Sequence, residues 1–538
     1  MINLIPMPEN VKEFQGGYSI NRDAVALSFD SELEELKDIV PEILKITPVE
    51  PEKSVDISFI YDSKTDGNAY SLSVNDSGIR VYASAYEGAM YAVATIRQLY
   101  KTDITDNKNL TASCVEIKND KPLYDWRGLH LDESRHFFGM NTVKKLLDFM
   151  SLYKLNRFHW HLTDDQGWRI EIKKYPLLTE IGSKRKGTQL HSWSSMEYDK
   201  TPYEGYYTQQ QIKEIIEYAK KRAIEIVPEI DFPAHSAAAI AAYNDLACRN
   251  IPCTVFDFCG WDLGKKLGYK DGNRPICLGK DKSIEFVLDV IDEVSELFPF
   301  KYFHVGGDES PTNDWKKCPD CQARMKKENI RTETDLQGWF TNKVNEHLKS
   351  IGKTMIGWNE VLESNVDKDI VVQYWTPQRD KNVNKHMKDG GKVILSWHKY
   401  FYFDMLHSYC TVKGTYNFAH KTAFVPTKLK DNVLGLEGEN WTEWTRTEDE
   451  LFFKIFHRGL ALAETAWSDN SVKNYGGFIK RLGKQKKIMD ALGIYYGSDD
   501  IVVQKAKRKK AKLCKKQGFS HKDFDSEYRL QKNSGSLK

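Results

Sequence analysis

The sequence predicts an α/β protein, a (β/α)₈ barrel preceded by a small α+β domain, and three observations carry that prediction. Eight short apolar runs recur between Arg127 and Trp441. Longer segments of helical period separate them, and each run ends in polar or aromatic residues. Strand–helix alternation sustained eight times is the pattern of a closed parallel barrel whose working face gathers the strand ends.

In chain order, residues 1–122 form the small domain. VDISFIYD, AYSLSVND and GIRVYAS read as strands and YEGAMYAVATIRQLY as a helix, a mixture typical of a compact α+β unit. The barrel follows over residues 123–495. Its runs are RGLHLDESR from Arg127, RFHWHLTDD from Arg157, IEIVPEIDFP from Ile224 and YFHVGGDE from Tyr302, then TMIGWNE from Thr354, DIVVQYW from Asp369, KVILSWH from Lys392 and NVLGLEGENW from Asn432. NTVKKLLDFMSLYKL, YTQQQIKEIIEYAKKRA, SIEFVLDVIDEVSELF and TETDLQGWFTNKVNEHLKSIG are the helices between the earlier runs, and LFFKIFHRGLALAETAW is the last barrel helix. A doubly wound open sheet would need a Gly-rich phosphate turn after its first strand, and none follows here. Residues 496–538 form a tail, helical or disordered, whose run KAKRKKAKLCKK reads as a solvated basic surface in preference to a nucleic-acid contact.

Composition narrows the partners. A net charge of +2 over 538 residues supplies no field for nucleic acid or a membrane surface. No run approaches the roughly 18 apolar residues of a membrane span. The start, MINLIPMPENVKEF, lacks a basic-then-apolar leader pattern, so the expectation is a cytoplasmic protein or one whose leader has been removed. Thirteen Trp and 27 Tyr suit flat sugar faces, or an aromatic-rich core. The nine cysteines make no dense disulfide framework. Cys318-Pro-Asp-Cys321 has the spacing of half a zinc site, but no second such pair follows, so a surface thiol pair or a local disulfide is expected and no metal ligand is assigned.

In a barrel the strand ends share one mouth, which here collects Arg135, Asp164, His235, Asp308, Glu309, Trp358, Trp375 and Trp441. Carboxylates, one Arg, one His and several Trp suit a neutral, hydroxyl-rich ligand; phosphate would call for more cations. The sharpest segment is His304-Val-Gly-Gly-Asp308-Glu309, whose glycines would let a ligand approach the backbone. Neighbouring acids point in different directions and cannot easily flank one glycosidic bond as nucleophile and acid. One of them must do something else.

HVGGDE, with HWHLTDDQGWRIEI from His159 and RGLHLDESRHF from Arg127, resembles the family 20 glycoside hydrolases, the β-N-acetylhexosaminidases. The likeness runs in order from about Ile5 to residue 495 and includes the small leading domain. It implies retaining, substrate-assisted hydrolysis of terminal β-linked GlcNAc or GalNAc from an oligosaccharide or glycoconjugate, through an oxazolinium intermediate and without a cofactor. Glu309 would be general acid and then base, and Asp308 would hold the acetamido N–H and stabilise its developing charge. Arg135 matches the grip on the sugar hydroxyls, with a buried ion pair as its other reading, and Glu443 matches its partner. Tyr402 matches the holder of the acetamido carbonyl, with Tyr400 as competitor, and Asp404 a group near the C6 hydroxyl. Trp358, Trp375 and Trp441 match the aromatic box. Asp164 and His235 would support Glu309, while His159, His161 and His304 would stand behind the reacting groups. Two departures are Ala234 in PEIDFPAHS and Asn359 in GWNE. The family works outside the cytosol (secreted, periplasmic or lysosomal) and includes monomers and homodimers.

Two other readings compete. A metal-dependent hydrolase could use His159 and His161 with His235, His304 and Asp308, although amidohydrolase barrels place such a pair on the first strand. A non-catalytic N-acetylhexosamine-binding protein would require loss of an essential group, yet both acids and the arginine are present.

Overall fold

The computed structural model describes residues 2–51, 54–100, 108–266, 274–377 and 380–497. The expected tail beyond residue 497 lies outside them. The leading domain is a seven-stranded mixed sheet in the order Val11–Asn21, Asn109–Asp120, Tyr70–Asn75, Gly78–Ala83, Ile57–Tyr61, Val25–Phe29, Pro48–Val49. The helix Tyr86–Leu99 packs against it, buried from Gly88 to Leu99, as continuous small and apolar residues dictate. The three strands and the helix legible in the sequence are all present. The strand Val11–Asn21 escaped notice because it carries mostly exposed side chains at a sheet edge and shows little alternation.

All eight apolar runs form a closed parallel barrel, with strands at Trp126–Asp132, Arg157–His161, Glu225–Glu229, Tyr302–His304, Thr354–Trp358, Val371–Tyr374, Val393–Leu395 and Val433–Gly438. Alternation along each strand sorts the side chains. Leu129, Leu131, Phe158, Trp160, Phe303 and Val372 face the surrounding helices in the main core. Trp126, Val227, Ile356, Val371 and Ile394 form a separate apolar cluster that floors the interior. One step nearer the strand ends, the inward positions are His130, His159, His161, Glu229, His304, Gln373 and Glu437, all buried. This layer is charged where barrels usually carry branched apolar residues.

The helix Glu448–Trp467 begins at a Thr447/Glu450 capping box and is buried from Glu450 to its end. Trp467 reaches into the core of the leading domain. There its indole donates to Asp120 (3.0 Å), which also holds the buried Lys154 of the barrel at 3.0 Å.

Candidate active site

The fourth strand ends at His304 and runs into Val305-Gly306-Gly307-Asp308-Glu309. Gly306 and Gly307 lie at φ +68° and +89°, where L side chains are strained. A Cβ on Gly306 would overlap the Asp231 carboxylate, and one on Gly307 would meet Val361 Cγ1 at 2.8 Å. The glycines therefore make room for neighbouring protein groups as the chain turns. Glu309 at φ +46° and His235 at φ +48° occupy the same left-handed region, a strain that the packing around them must sustain.

Asp308 and Glu309 differ in exposure. The Glu309 side chain is 62% exposed and that of Asp308 14%. Asp308 Oδ1 is buried and has no hydrogen-bond partner among the described residues. Burial pushes the Asp308 carboxyl up to about 6; His235 opposes the rise and Glu309 adds to it. His235 Nε2 stands 3.9 Å from Asp308 and 3.8 Å from Glu309, while its Nδ1 is held 3.1 Å from Asp164. Burial alone would lower His235, but Asp164, Asp165 and Asp231 together hold the imidazole well above its usual range. Asp231, not singled out beforehand, accepts from the Gly307 N–H at 3.1 Å and is raised well above the carboxylate range by burial and by Asp308. Its place in PEIDFP, two residues beyond a strand end, was the available signal.

Arg135 connects this cluster to the other rim. It reaches Asp164 (2.8 Å), Asp132 (3.3 Å) and Gln166 Oε1 (2.8 Å), and lies over the Trp441 ring at 5.1 Å. Its buried ion pair is thus present, and the same side chain also opens into a cavity of about 200 Å³ with Glu309, His235 and Glu443. Trp193, Phe256 and Phe258 line that cavity too, and none had been singled out. Burial raises the Glu443 carboxyl against the pull of Arg135, and raises that of Asp404 to about 7, with Glu443 adding.

The aromatic residues converge. Trp441 lies 5.8 Å from Trp358 and 6.4 Å from Tyr402, and Tyr402 lies 5.8 Å from Trp375. Trp358 is 1% exposed, its indole donating to Glu229 at 2.8 Å, so it forms the floor. Tyr400 instead packs against Trp397 and Phe418, away from the cluster, which favours Tyr402 of the two tyrosines. Asn359 accepts from the Trp375 backbone N–H at 3.0 Å, and Glu360 accepts from its indole at 2.9 Å. The departure from an acid at 359 therefore leaves Trp375 fixed.

Below the mouth, carboxylates and imidazoles alternate. Glu437 meets His159 (2.7 Å), His159 meets Glu229 (2.9 Å), Glu229 meets His161 (2.7 Å) and His304 (3.0 Å), and His161 meets Asp164 (3.0 Å). Burial would strip His159 of its proton, but Glu437 and Glu229 hold it up to about 10. His159 and His304 meet on Glu229, a layer beneath His235 and Asp308, so the five groups of the metal-hydrolase reading do not form one centre. The expected surface thiols or local disulfide at Cys318 and Cys321 are also overturned. Both are buried free thiols, packed with Cys248 and Cys277.

Comparison with known proteins agrees with this geometry. Residues 124–470 match the glycosyl hydrolase family 20 catalytic domain, and residues 1–119 match domain 2 of the same family. A β-hexosaminidase of Porphyromonas gingivalis is 32% identical over 527 residues, covering 92% of this chain and 64% of that protein. The β-hexosaminidase of Vibrio furnissii is 33% identical, covering 86% of this chain and 76% of its own. The exo-β-N-acetylglucosaminidase of Vibrio harveyi superposes with a TM-score of 0.80 at 29% identity, covering 92% of this chain and 78% of that one. With a closed eight-stranded barrel, the leading sheet and both domain matches in place, the chain belongs to glycosyl hydrolase family 20.

Proposed function

We propose that the chain is an exo-acting, retaining β-N-acetylhexosaminidase that removes terminal non-reducing GlcNAc or GalNAc, with the acetamido group of the sugar as nucleophile. The observation that carries this reading is the buried, unpartnered Asp308 Oδ1 beside the exposed Glu309. A buried acceptor without a donor is costly unless a ligand supplies one, and an acetamido N–H is such a donor. The β-hexosaminidase relatives and the Vibrio harveyi structure, solved in complex with N-acetylglucosamine, support the same sugar class.

In this mechanism the acetamido carbonyl oxygen attacks C1, the bond from C1 to the leaving oxygen breaks, and Glu309 gives that oxygen its proton. Asp308, as a carboxylate, holds the N–H and stabilises the positive charge spread over the oxazolinium ring. Water then attacks C1, Glu309 takes its proton, and the ring opens to a product of retained configuration. No second molecule has to be ordered for the first step, which lowers its entropic barrier. Tyr402 would hold the acetamido oxygen, and Trp358, Trp375 and Trp441 would enclose its methyl. Arg135 and Glu443 would bind the C3 and C4 hydroxyls, and Asp404 the C6 hydroxyl. Asp164 fixes the ring of His235, which orients both acids.

Hydrolysis of p-nitrophenyl glycosides tests the proposal. The N-acetylglucosaminide should be cleaved, its first product should be the β-anomer by NMR, and Glu309→Gln should abolish turnover. Rapid cleavage of the plain glucoside, an inverted product or a trapped glycosyl ester on any carboxylate would overturn it. Binding of chitobiose without hydrolysis by either protein would favour the non-catalytic reading.

A further inference from the structure

Beside the residues assigned to the reaction, four sulfurs meet. Cys248 and Cys277 belong to the loop after the third strand, and Cys318 and Cys321 to the loop after the fourth. The Sγ atoms of Cys277 and Cys318 are 3.6 Å apart, as are those of Cys277 and Cys321, and Cys248 and Cys321 are at 3.7 Å. All four lie within 4.8 Å of one another. These spacings are too long for a disulfide, whose sulfurs sit about 2 Å apart. They match the edge of a tetrahedron around a zinc ion, since Zn–S bonds of about 2.3 Å put sulfurs about 3.8 Å apart.

The backbone around the cluster is arranged for close approach. Cys318 is the N-cap of the helix Pro319–Lys327, with Pro at its first position, so Cys318 and Cys321 both sit at the positive end of the helix dipole. Opposite them, a Cβ on Gly279 would overlap the backbone between Asp320 and Cys321, and the Gly279 N–H hydrogen-bonds the Cys277 sulfur. Cys277 N–H donates to Leu246 O at 2.7 Å, which fixes it beside Cys248. Trp315, fully buried, ties the two loops again through its indole N–H to Ile276 O at 2.9 Å.

We propose that Cys248, Cys277, Cys318 and Cys321 bind one structural zinc ion as a closed tetrathiolate site. Four protein sulfurs leave no open coordination position, so the ion does not act on substrate. Its place in the fold gives it a mechanical task. It joins the loop that follows His235 to the loop that follows Asp308 and Glu309, pinning together the two segments that carry the reacting groups. Neither cysteine pair can do this alone, since each belongs to a single loop.

The test is a metal count on the full chain, produced with zinc available, purified without chelator and dialysed into metal-free buffer. Plasma mass spectrometry should find about one zinc per chain. Cys318→Ser combined with Cys321→Ser should lower that content at least tenfold, whereas Cys114→Ser and Cys410→Ser should keep it. If the double variant does not fold, the wild type still decides. Titration with an organomercurial should release zinc to a colorimetric indicator at about four thiols per ion, as a tetrathiolate requires. Folded wild type with less than a tenth of an equivalent of zinc would overturn the proposal. So would a disulfide mapped among these four cysteines, or iron in place of zinc.

Discussion

Two layers of the barrel interior lie one residue pair apart along the strands and differ in kind. The floor, Trp126, Val227, Ile356, Val371 and Ile394, is apolar and contributes by exclusion of water. The layer above it, built on Glu229, Glu437, His159, His161 and His304, is equally dry but charged. Burying that many ionisable groups costs folding energy unless every charge is matched. An apolar layer would serve stability as well. The charged layer can do what an apolar one cannot, which is to hold Asp164 and His235 in fixed orientation and charge beneath the reacting acids.

The comparison is tested first at the top of the charged stack, where the largest effect is expected. Asp308→Asn should lower kcat by about 10³-fold with little change in KM, because the lost interaction forms only as charge develops. Steady-state kinetics on the aryl N-acetylglucosaminide reads this directly. An equal loss in KM alone would mean that Asp308 only binds substrate.

Glu229→Gln attacks the middle of the stack. It removes the carboxylate that faces His159, His161 and His304, and breaking such a buried pair should cost about 3 kcal/mol in denaturant unfolding. Both stability and kcat should fall, since the amide oxygen can still accept from the Trp358 indole but the NH₂ that replaces the other oxygen cannot accept from His159 and His161. A variant of unchanged stability would show that the charged layer is not held by Glu229.

How much of this was legible in the sequence follows from the range of each signal. The eight strands were readable because each is a local apolar run with its own turn. Asp308, Glu309, Arg135 and Asp164 stand inside contiguous motifs, and the structure brings them to one mouth. The partners of His159 were not readable, since Glu229 and Glu437 come from distant strands and meet it only on closure. Cys248 and Cys277 were missed for the same reason: nothing in their spacing pairs them with Cys318 and Cys321 until two loops fold together.

The raised pKa of Asp308 ties both stability and turnover to pH. Burial holds the Asp308 carboxyl up at about 6, above an unfolded value near 3.9. The folded state therefore prefers the protonated form, and the ionised form carries a cost that is full above pH 6 and absent below about pH 4. Asp308→Asn should accordingly unfold at higher denaturant than wild type at pH 8, by about 3 kcal/mol, with the gain vanishing at pH 4. Catalysis has the opposite need, for the carboxylate. Turnover by wild type should fall about tenfold per unit as pH drops below about 6. An acid limb that persists unshifted in Asp308→Asn would assign that titration to another group.

The smallest effect belongs to the floor, and it separates the two layers most cleanly. Ile356→Val removes one methylene from a fully buried position in the apolar cluster. The transfer and cavity terms together should cost about 1 kcal/mol. Because Ile356 and Trp358 are inward residues of one strand, a floor that merely fills space predicts lower stability with unchanged kcat, KM and pH profile. If the same substitution moved the acid limb, the stack would be positioned from beneath by apolar packing, and the two layers would be one mechanical unit.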